Sequence, residues 1–277
     1  MARTDGRPKP KGAAVDRIAC LWCQFPNSQE RTSCSACGAP LTMRGTASES
    51  GWRAAPRLRD MTEFRVADTT CQIAGEVVPV AEFTLAGGDA VFFEQRTLLW
   101  KEREVTLTGK TLGTGRKRTV AGMPYAVIEA RGPGRVAVSR DSSGEVVVLP
   151  LHPGMELDAR GHAFLAATVN VSYDFIQIEK LSSALHGGPG MYLDRFMTSQ
   201  SPGLLLLHGY GNAFQRQLGS GEKILVEPGG FLYKDSSVTM NPATMQAGGS
   251  FGKRNWAELA GPGRVGIQSM YRHSLVG

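Results

Sequence analysis

Five positions recur in register three times along this 277-residue chain, and that repeat constrains the fold more than any other feature. A Leu-x-x-Gly turn stands at Leu85 and Gly88, at Leu151 and Gly154, and at Leu218 and Gly221, spaced by 66 and then 67 residues. Ten and eleven residues after each glycine come the apolar pairs Leu98 and Leu99, Phe164 and Leu165, Phe231 and Leu232, and seventeen after it come Val105, Val171 and Val238. Register kept over five offsets is the mark of duplication rather than of coincidence among common residues. Each copy reads as a small antiparallel β unit whose glycine makes the hairpin turn and whose apolar positions face a shared core. Three such units are expected to pack with pseudo-threefold symmetry.

The rest of the chain from about Met61 onward has the texture of short strands. Valine-rich apolar or alternating runs, punctuated by Gly and Pro, fall at Val77 to Leu85, Val91 to Phe93, Tyr125 to Ile128, Val146 to Leu151, Phe164 to Ile178, Leu204 to Leu207, Ile224 to Val226 and Val265 to Met270. Helical periodicity is nearly absent, and Trp256 to Leu259 is read as a turn because it is too short for a helix. Gly-Pro-Gly occurs at 132–134, 188–190 and 261–263, a tight turn that leads into an alternating strand in the first and third cases. The predicted fold class is all-β: an antiparallel β-sandwich or double-stranded β-helix-like domain of three tandem repeats, preceded by a small zinc finger. The expected organisation is a disordered basic arm over 1–17, the four-cysteine finger over 18–40, a linker over 41–60 and the three-repeat domain over 61–277.

The finger rests on two Cys-x-x-Cys knuckles, Cys20 with Cys23 and Cys34 with Cys37, separated by ten residues. That spacing lets four thiolates surround one tetrahedral Zn²⁺ at roughly 2.3 Å each, with no coordination position left for a reactive water. The expected cofactor is therefore one structural zinc, and folding of so short a segment and binding of the metal are one event. A redox dithiol pair or an iron site are the competing readings, and the segment lacks the βαβ context of the former. The fifth cysteine, Cys71, is read as a small buried hydrophobe.

At these residues the chain resembles the Ran-binding-protein type of zinc finger: three residues follow Cys23 before Asn27, six more precede Cys34, and Gly38 follows Cys37. Ile18 stands where that family has a tryptophan. RNA-binding members carry a stacking aromatic and a pair of arginines after the asparagine, of which only Arg31 is present beside Ser28 and Glu30. Ubiquitin-binding members have Thr-Phe where this chain has Gln24-Phe25. A protein-contact knob and a nucleic-acid module both remain open, with Trp22, Phe25 and Arg31 as candidate contacts.

Charge bears on the same question. Residues 1–60 carry ten Lys/Arg against five Asp/Glu, so +5 of the formal +6 lies in the first fifth of the chain. A second basic cluster, Lys110 with Arg116, Lys117 and Arg118, is read as the cap of a solvated hairpin or a contact for the phosphates of nucleic acid (RNA or DNA) or lipid. No apolar run approaches the roughly 20 residues of a membrane-spanning helix, and no membrane span is expected. The N-terminus lacks a secretory pattern, and a cytoplasmic location is the expectation.

Catalytic constellations are not found. Gly248-Gly249-Ser250-Phe251-Gly252 fits a nucleophile elbow only literally, without the α/β context such an elbow needs. Gly109-Lys110-Thr111 mimics the end of a phosphate-binding loop, but Glu104 stands where the earlier glycine is required. His152, His162, His186, His208 and His273 are scattered and form no His-x-His metal pair. The protein is expected not to be an enzyme.

Several stretches of 61–277 resemble the altered-inheritance-of-mitochondria-twenty-four family. They are Gly221-Glu222, Leu225-Val226-Glu227-Pro228-Gly229, Phe231-Leu232, Asp235 to Val238, and Ala260-Gly261-Pro262-Gly263 closing with Gln268-Ser269. The resemblance implies an all-β fold like that of the tryptophan RNA-binding attenuation protein, with subunit-like tandem repeats and a tendency to oligomerise. The function expected from residues and resemblance together is a non-enzymatic scaffold or binding protein. Its β domain would form a homo-oligomer and its finger would contact a protein partner. The alternative is a nucleic-acid binder using the finger, the basic arm and the loop 110–118.

Overall fold

The computed structural model describes residues 17–20, 25–28, 31, 33–37, 41, 50–55, 62–66, 68–113, 126–178, 191–246 and 253–270. Strands β1 (Arg17–Ala19) and β2 (Pro26–Ser28) pair within the cysteine segment. Strands β3 (Arg53–Ala54), β4 (Thr62–Val66) and β5 (Thr69–Ala74) then precede three copies of one six-strand unit. The first copy is β6 (Val80–Leu85), β7 (Ala90–Phe93), β8 (Leu98–Lys101), β9 (Thr106–Thr111), β10 (Ala126–Arg131) and β11 (Gly134–Ser139). The second is β12 (Gly144–Leu151), β13 (Glu156–Arg160), β14 (Phe164–Thr168), β15 (Ser172–Ile178), β16 (Met191–Met197) and β17 (Gly203–Tyr210). The third is β18 (Ala213–Leu218), β19 (Lys223–Val226), β20 (Phe231–Asp235), β21 (Thr239–Gln246), β22 (Lys253–Ala260) and β23 (Gly263–Gln268). The architecture is all-β and antiparallel, and among the described residues no helix is long and apolar enough to cross a membrane.

The repeated residues do the same work in each copy. Leu85, Leu151 and Leu218 end a strand, and each lies opposite the glycine that opens the copy's last strand: Gly134, Gly203 or Gly263. Gly88, Gly154 and Gly221 take φ of +98°, +84° and +74°, the left-handed backbone that a side chain disfavours. Val105, Val171 and Val238 are buried, and each N–H closes a turn on the carbonyl three residues back, at Glu102, Thr168 or Asp235. The side chains of those three residues accept a second bond from the strand beside them. Glu102 Oε2 accepts the Arg135 N–H at 2.9 Å, Thr168 Oγ1 that of Leu204 at 3.0 Å, and Asp235 Oδ2 that of Arg264 at 2.8 Å.

Gly-Pro-Gly has the role expected in copies one and three. A Cβ on Gly132 or Gly261 would strike the carbonyl oxygen of Ala86 or Gly219 in the repeat turn beside it. The motif at 188–190 lies outside the described residues. In the second copy, Thr198 makes the equivalent bond, donating its N–H to Met155 O as Gly132 does to Asp89 O and Gly261 to Glu222 O.

The copies share sheets. A five-stranded sheet (β4-β5-β6-β11-β8), a six-stranded sheet (β12-β17-β14-β7-β10-β9), a seven-stranded sheet (β15-β16-β13-β20-β23-β18-β3) and a three-stranded sheet (β19-β22-β21) enclose three hydrophobic cores between successive layers. The two middle sheets are buried on both faces, which accounts for uninterrupted apolar runs in their strands. Leu204 and Leu206 of β17 enter one core, while Leu205 and Leu207 enter the next. β7 pairs with β14, joining copy one to copy two, and β13 pairs with β20, joining copy two to copy three. Among the described residues no ladder joins copy three back to copy one.

Four expectations need correction. Trp256 to Leu259 is no turn but part of β22, where Ala257 and Leu259 alternate inward, a strand period hidden by the segment's polar flanks. The stretch 41–60 is not wholly a linker, because Arg53 and Ala54 form β3 on β18 and Ala55 is buried in a core. Phe164 to Ile178 is two strands in different sheets, broken at the turn that Val171 closes. Leu99, taken as one of the core-facing pairs, is exposed, unlike its counterparts Leu165 and Leu232.

Candidate metal centre

The β1–β2 hairpin sets Ile18 opposite Asn27 and ends where the Cys20 N–H donates to Phe25 O at 2.9 Å. This places Cys20 at the tip of one knuckle, facing the turn that carries Cys34 and Cys37. The sulfur atoms of Cys20, Cys34 and Cys37 all lie within 4.8 Å of one another, and Cys20 and Cys37 are 3.6 Å apart. Four sulfurs at roughly 2.3 Å from a tetrahedral zinc stand about 3.8 Å from each other, so this cluster has the size the ion requires. All three cysteines are buried.

Asn27 locks the two knuckles together. Its Nδ2 donates to Phe25 O at 2.7 Å and to Cys34 Sγ at 3.4 Å, while its Oδ1 accepts from the Ser35 N–H at 2.8 Å and from Ser35 Oγ at 2.9 Å. The Ala36 N–H also points at Cys34 Sγ, at 3.4 Å. Two N–H donors aimed at one sulfur favour its thiolate, the form that ligates metal. The donor set therefore fits a soft divalent ion held by thiolates. The finger motif contains Asn27, but spacing alone gave no reason to assign it this supporting role.

The centre is anchored on the β body. Phe64 of β4 and Leu41 pack against the cysteine cluster, and the same Phe64 also packs into the core of the first copy. Of the other residues expected at the site, Phe25 and Arg31 are exposed on the module, with Arg31 Nε donating to Ser33 O at 3.3 Å. Trp22 and Cys23 lie outside the described residues, as do Arg116, Lys117 and Arg118. Lys110 is exposed on β9 opposite Val127, so Gly109-Lys110-Thr111 belongs to a strand and not to a phosphate loop. Gly248 to Gly252, His186 and His273 also fall outside the described residues. Cys71 is buried in the first core, which pushes its thiol up and leaves it unreactive.

The buried carboxylates of the β body meet partners. Asp158 accepts from Lys234 Nζ at 2.7 Å and from Arg195 Nε at 2.7 Å, Asp194 accepts from Tyr173 OH at 2.8 Å, and Glu94 meets Arg140 at 2.9 Å. His208 of β17 sits edge-on to Tyr210, with ring centroids 4.9 Å apart. Burial, aided by the positive Arg140, lowers its pKa to about 4. The folded imidazole is thus neutral, whereas an unfolded histidine titrates near 6.5, so the unfolded chain binds the extra proton between those values. Stability should fall as pH drops from about 6.5 to about 4, by roughly 3 kcal/mol from this group. Urea midpoints of the wild type and His208→Gln at pH 7 and near pH 4.5 check this: the variant should lose less on acidification, and parallel losses would refute it.

Comparison with known proteins follows the β body. A family model described as "Mitochondrial biogenesis AIM24" matches residues 71–270, a span that begins after the cysteine centre. A curated Streptococcus pyogenes serotype M6 protein, described as uncharacterized, is 26% identical over 146 residues, covering 48% of this chain and 57% of its own length. A crystal structure of a Streptococcus pyogenes protein superposes with a TM-score of 0.57 at 18% identity, covering 73% of this chain and 94% of the other. That likeness establishes the all-β fold.

Proposed function

The chain belongs to the mitochondrial biogenesis AIM24 family, and from that premise we propose that it is a non-enzymatic scaffold whose β body self-associates while a zinc-folded head contacts a protein partner. The carrying observation is the chemistry of the cluster: three buried cysteine sulfurs within 4.8 Å, with N–H donors from Asn27 and Ala36 both aimed at the sulfur of Cys34. With Cys23 as fourth ligand, such a site holds structure and leaves no open position for substrate. Phe25 and Arg31 are the exposed apolar and cationic groups the head offers a partner. Supporting the same reading, buried charges of the body are engaged with one another, Lys234 with Asp158 and Arg140 with Glu94. Cysteines that ligate a metal suit a reducing compartment such as the cytoplasm.

Light scattering on the full chain during size exclusion tests the scaffold. The expected mass is a multiple of 29.8 kDa, and a strict monomer at micromolar concentration would contradict it. The charge of the first 60 residues favours one second reading, nucleic-acid binding by the head and the loop 110–118. Anisotropy with random single-stranded oligonucleotides decides that: affinity should rise steeply at low salt, and no binding there eliminates it.

A further inference from the structure

The three copies make two junctions and leave the parts of a third. β7, β13 and β19 are equivalent strands, each pairing with one neighbour in its own copy: β10, β16 or β22. On the other edge β7 receives β14 and β13 receives β20, whereas β19 receives nothing among the described residues. β8 is the equivalent of β14 and β20, and among the described residues its outer edge is likewise without a ladder. The side chains there match that state. Leu99, Trp100 and Leu225 are 56%, 38% and 42% exposed, while Leu165, Ala166, Leu232 and Tyr233, which replace the first two in the later copies, are at most 1% exposed. Large apolar groups beside an open strand edge are a template for another strand.

We infer that β8 of one molecule pairs antiparallel with β19 of a second copy of this chain, reproducing between molecules the junction that joins copies within one. The two existing ladders fix the register. Phe93 opposite Ala166 and Ala159 opposite Tyr233 place Val226 opposite Trp100. Phe92 opposite Ala167 and Asp158 opposite Lys234 place Leu225 opposite Lys101. Both internal junctions continue past the ladder, with the Val169 N–H donating to Ala90 O at 3.3 Å and the Ser236 N–H to Glu156 O at 3.1 Å. The Arg103 N–H and Lys223 O are the corresponding pair between molecules. Such an interface is heterologous, so it grows head to tail into a ring or a filament. It merges the three-stranded sheet of one molecule with the five-stranded sheet of the next. The inference rests on the self-association in the scaffold reading and names its surfaces.

Trp100→Lys blocks one edge and Leu225→Lys the other, both at exposed positions of the full chain. In light scattering the wild type should exceed the mass of one chain, each variant should fall to a single chain, and an equimolar mixture should form a dimer through the two intact edges. A wild type that is monomeric overturns both this inference and the scaffold reading. A wild type that assembles while both variants assemble equally overturns the edges alone, and a mixture that stays monomeric overturns the head-to-tail geometry. A second measurement holds even if a lysine disturbs folding. The double variant Lys101→Cys with Leu225→Cys, oxidised and run without reductant, should give a ladder of covalent oligomers absent from either single variant. A fast-migrating monomer, closed within one chain, would contradict it.

Discussion

Asp158→Ala is expected to lower the unfolding free energy by about 3–5 kcal/mol, because it leaves a buried ammonium without its counter-ion. Asp158 and Lys234 lie opposite each other in the ladder between copies two and three, both almost wholly buried, with Nζ 2.7 Å from Oδ2. Arg195 braces the same carboxylate through Nε and a second nitrogen at 3.0 Å, but it is partly exposed and also reaches Glu156 at 3.5 Å, so it can turn outward when Asp158 is lost. Lys234 has no such outlet. At the equivalent ladder position between copies one and two stand Phe92 and Ala167, an apolar pair in the same fold. Asp158→Leu combined with Lys234→Met should therefore recover most of the loss, since a well-packed apolar pair replaces a buried ion pair at little or no cost. Guanidinium unfolding at neutral pH measures both. A single variant within about 1 kcal/mol of wild type would mean that the pair is not desolvated as its burial indicates.

The all-β class and the repeat were legible because the demands behind them are local. A left-handed turn needs glycine, and a strand closing on a core needs a valine or leucine at a fixed offset, so Gly88, Gly154 and Gly221 stay in register with Val105, Val171 and Val238. Other shared features depend on partners far away in sequence and carry no common letter. Glu102, Thr168 and Asp235 make one and the same bond with three residue types. Asp158 and Lys234 look like surface charges until β13 and β20 meet. β3 is only two residues, Arg53 and Ala54, whose strand character comes from β18. Leu99 resembles a core residue because its counterparts are buried; it is exposed on β8, whose outer edge no strand covers among the described residues. In the candidate metal centre, spacing points to Cys20, Cys34 and Cys37, which the fold brings together, but Phe64, an apolar residue of β4, carries no sign in the sequence that it packs against them.

Cys34→Ser is expected to release the metal and unfold the head while the β body keeps its thermal transition. Cys34 is a cysteine on which both Asn27 and Ala36 converge, and those two N–H donors support its thiolate. The module has two three-residue strands and a core made of its ligands, and metal-binding free energies of about 10–16 kcal/mol are what hold such segments folded. Removing one ligand should cost most of that, whereas Asn27→Ala, which loosens the support alone, should weaken binding by about 10–100-fold. The three cores of the body lie apart from this site, joined to it through Phe64, so their unfolding should be insensitive to chelation beyond a small loss at β4. Zinc content per chain, measured by elemental analysis on reduced full-length protein, tests the zinc-folded head most directly. One zinc per chain, abolished by Cys34→Ser, is the predicted result; metal well below one per chain in fully reduced protein, or full occupancy in the variant, would contradict it.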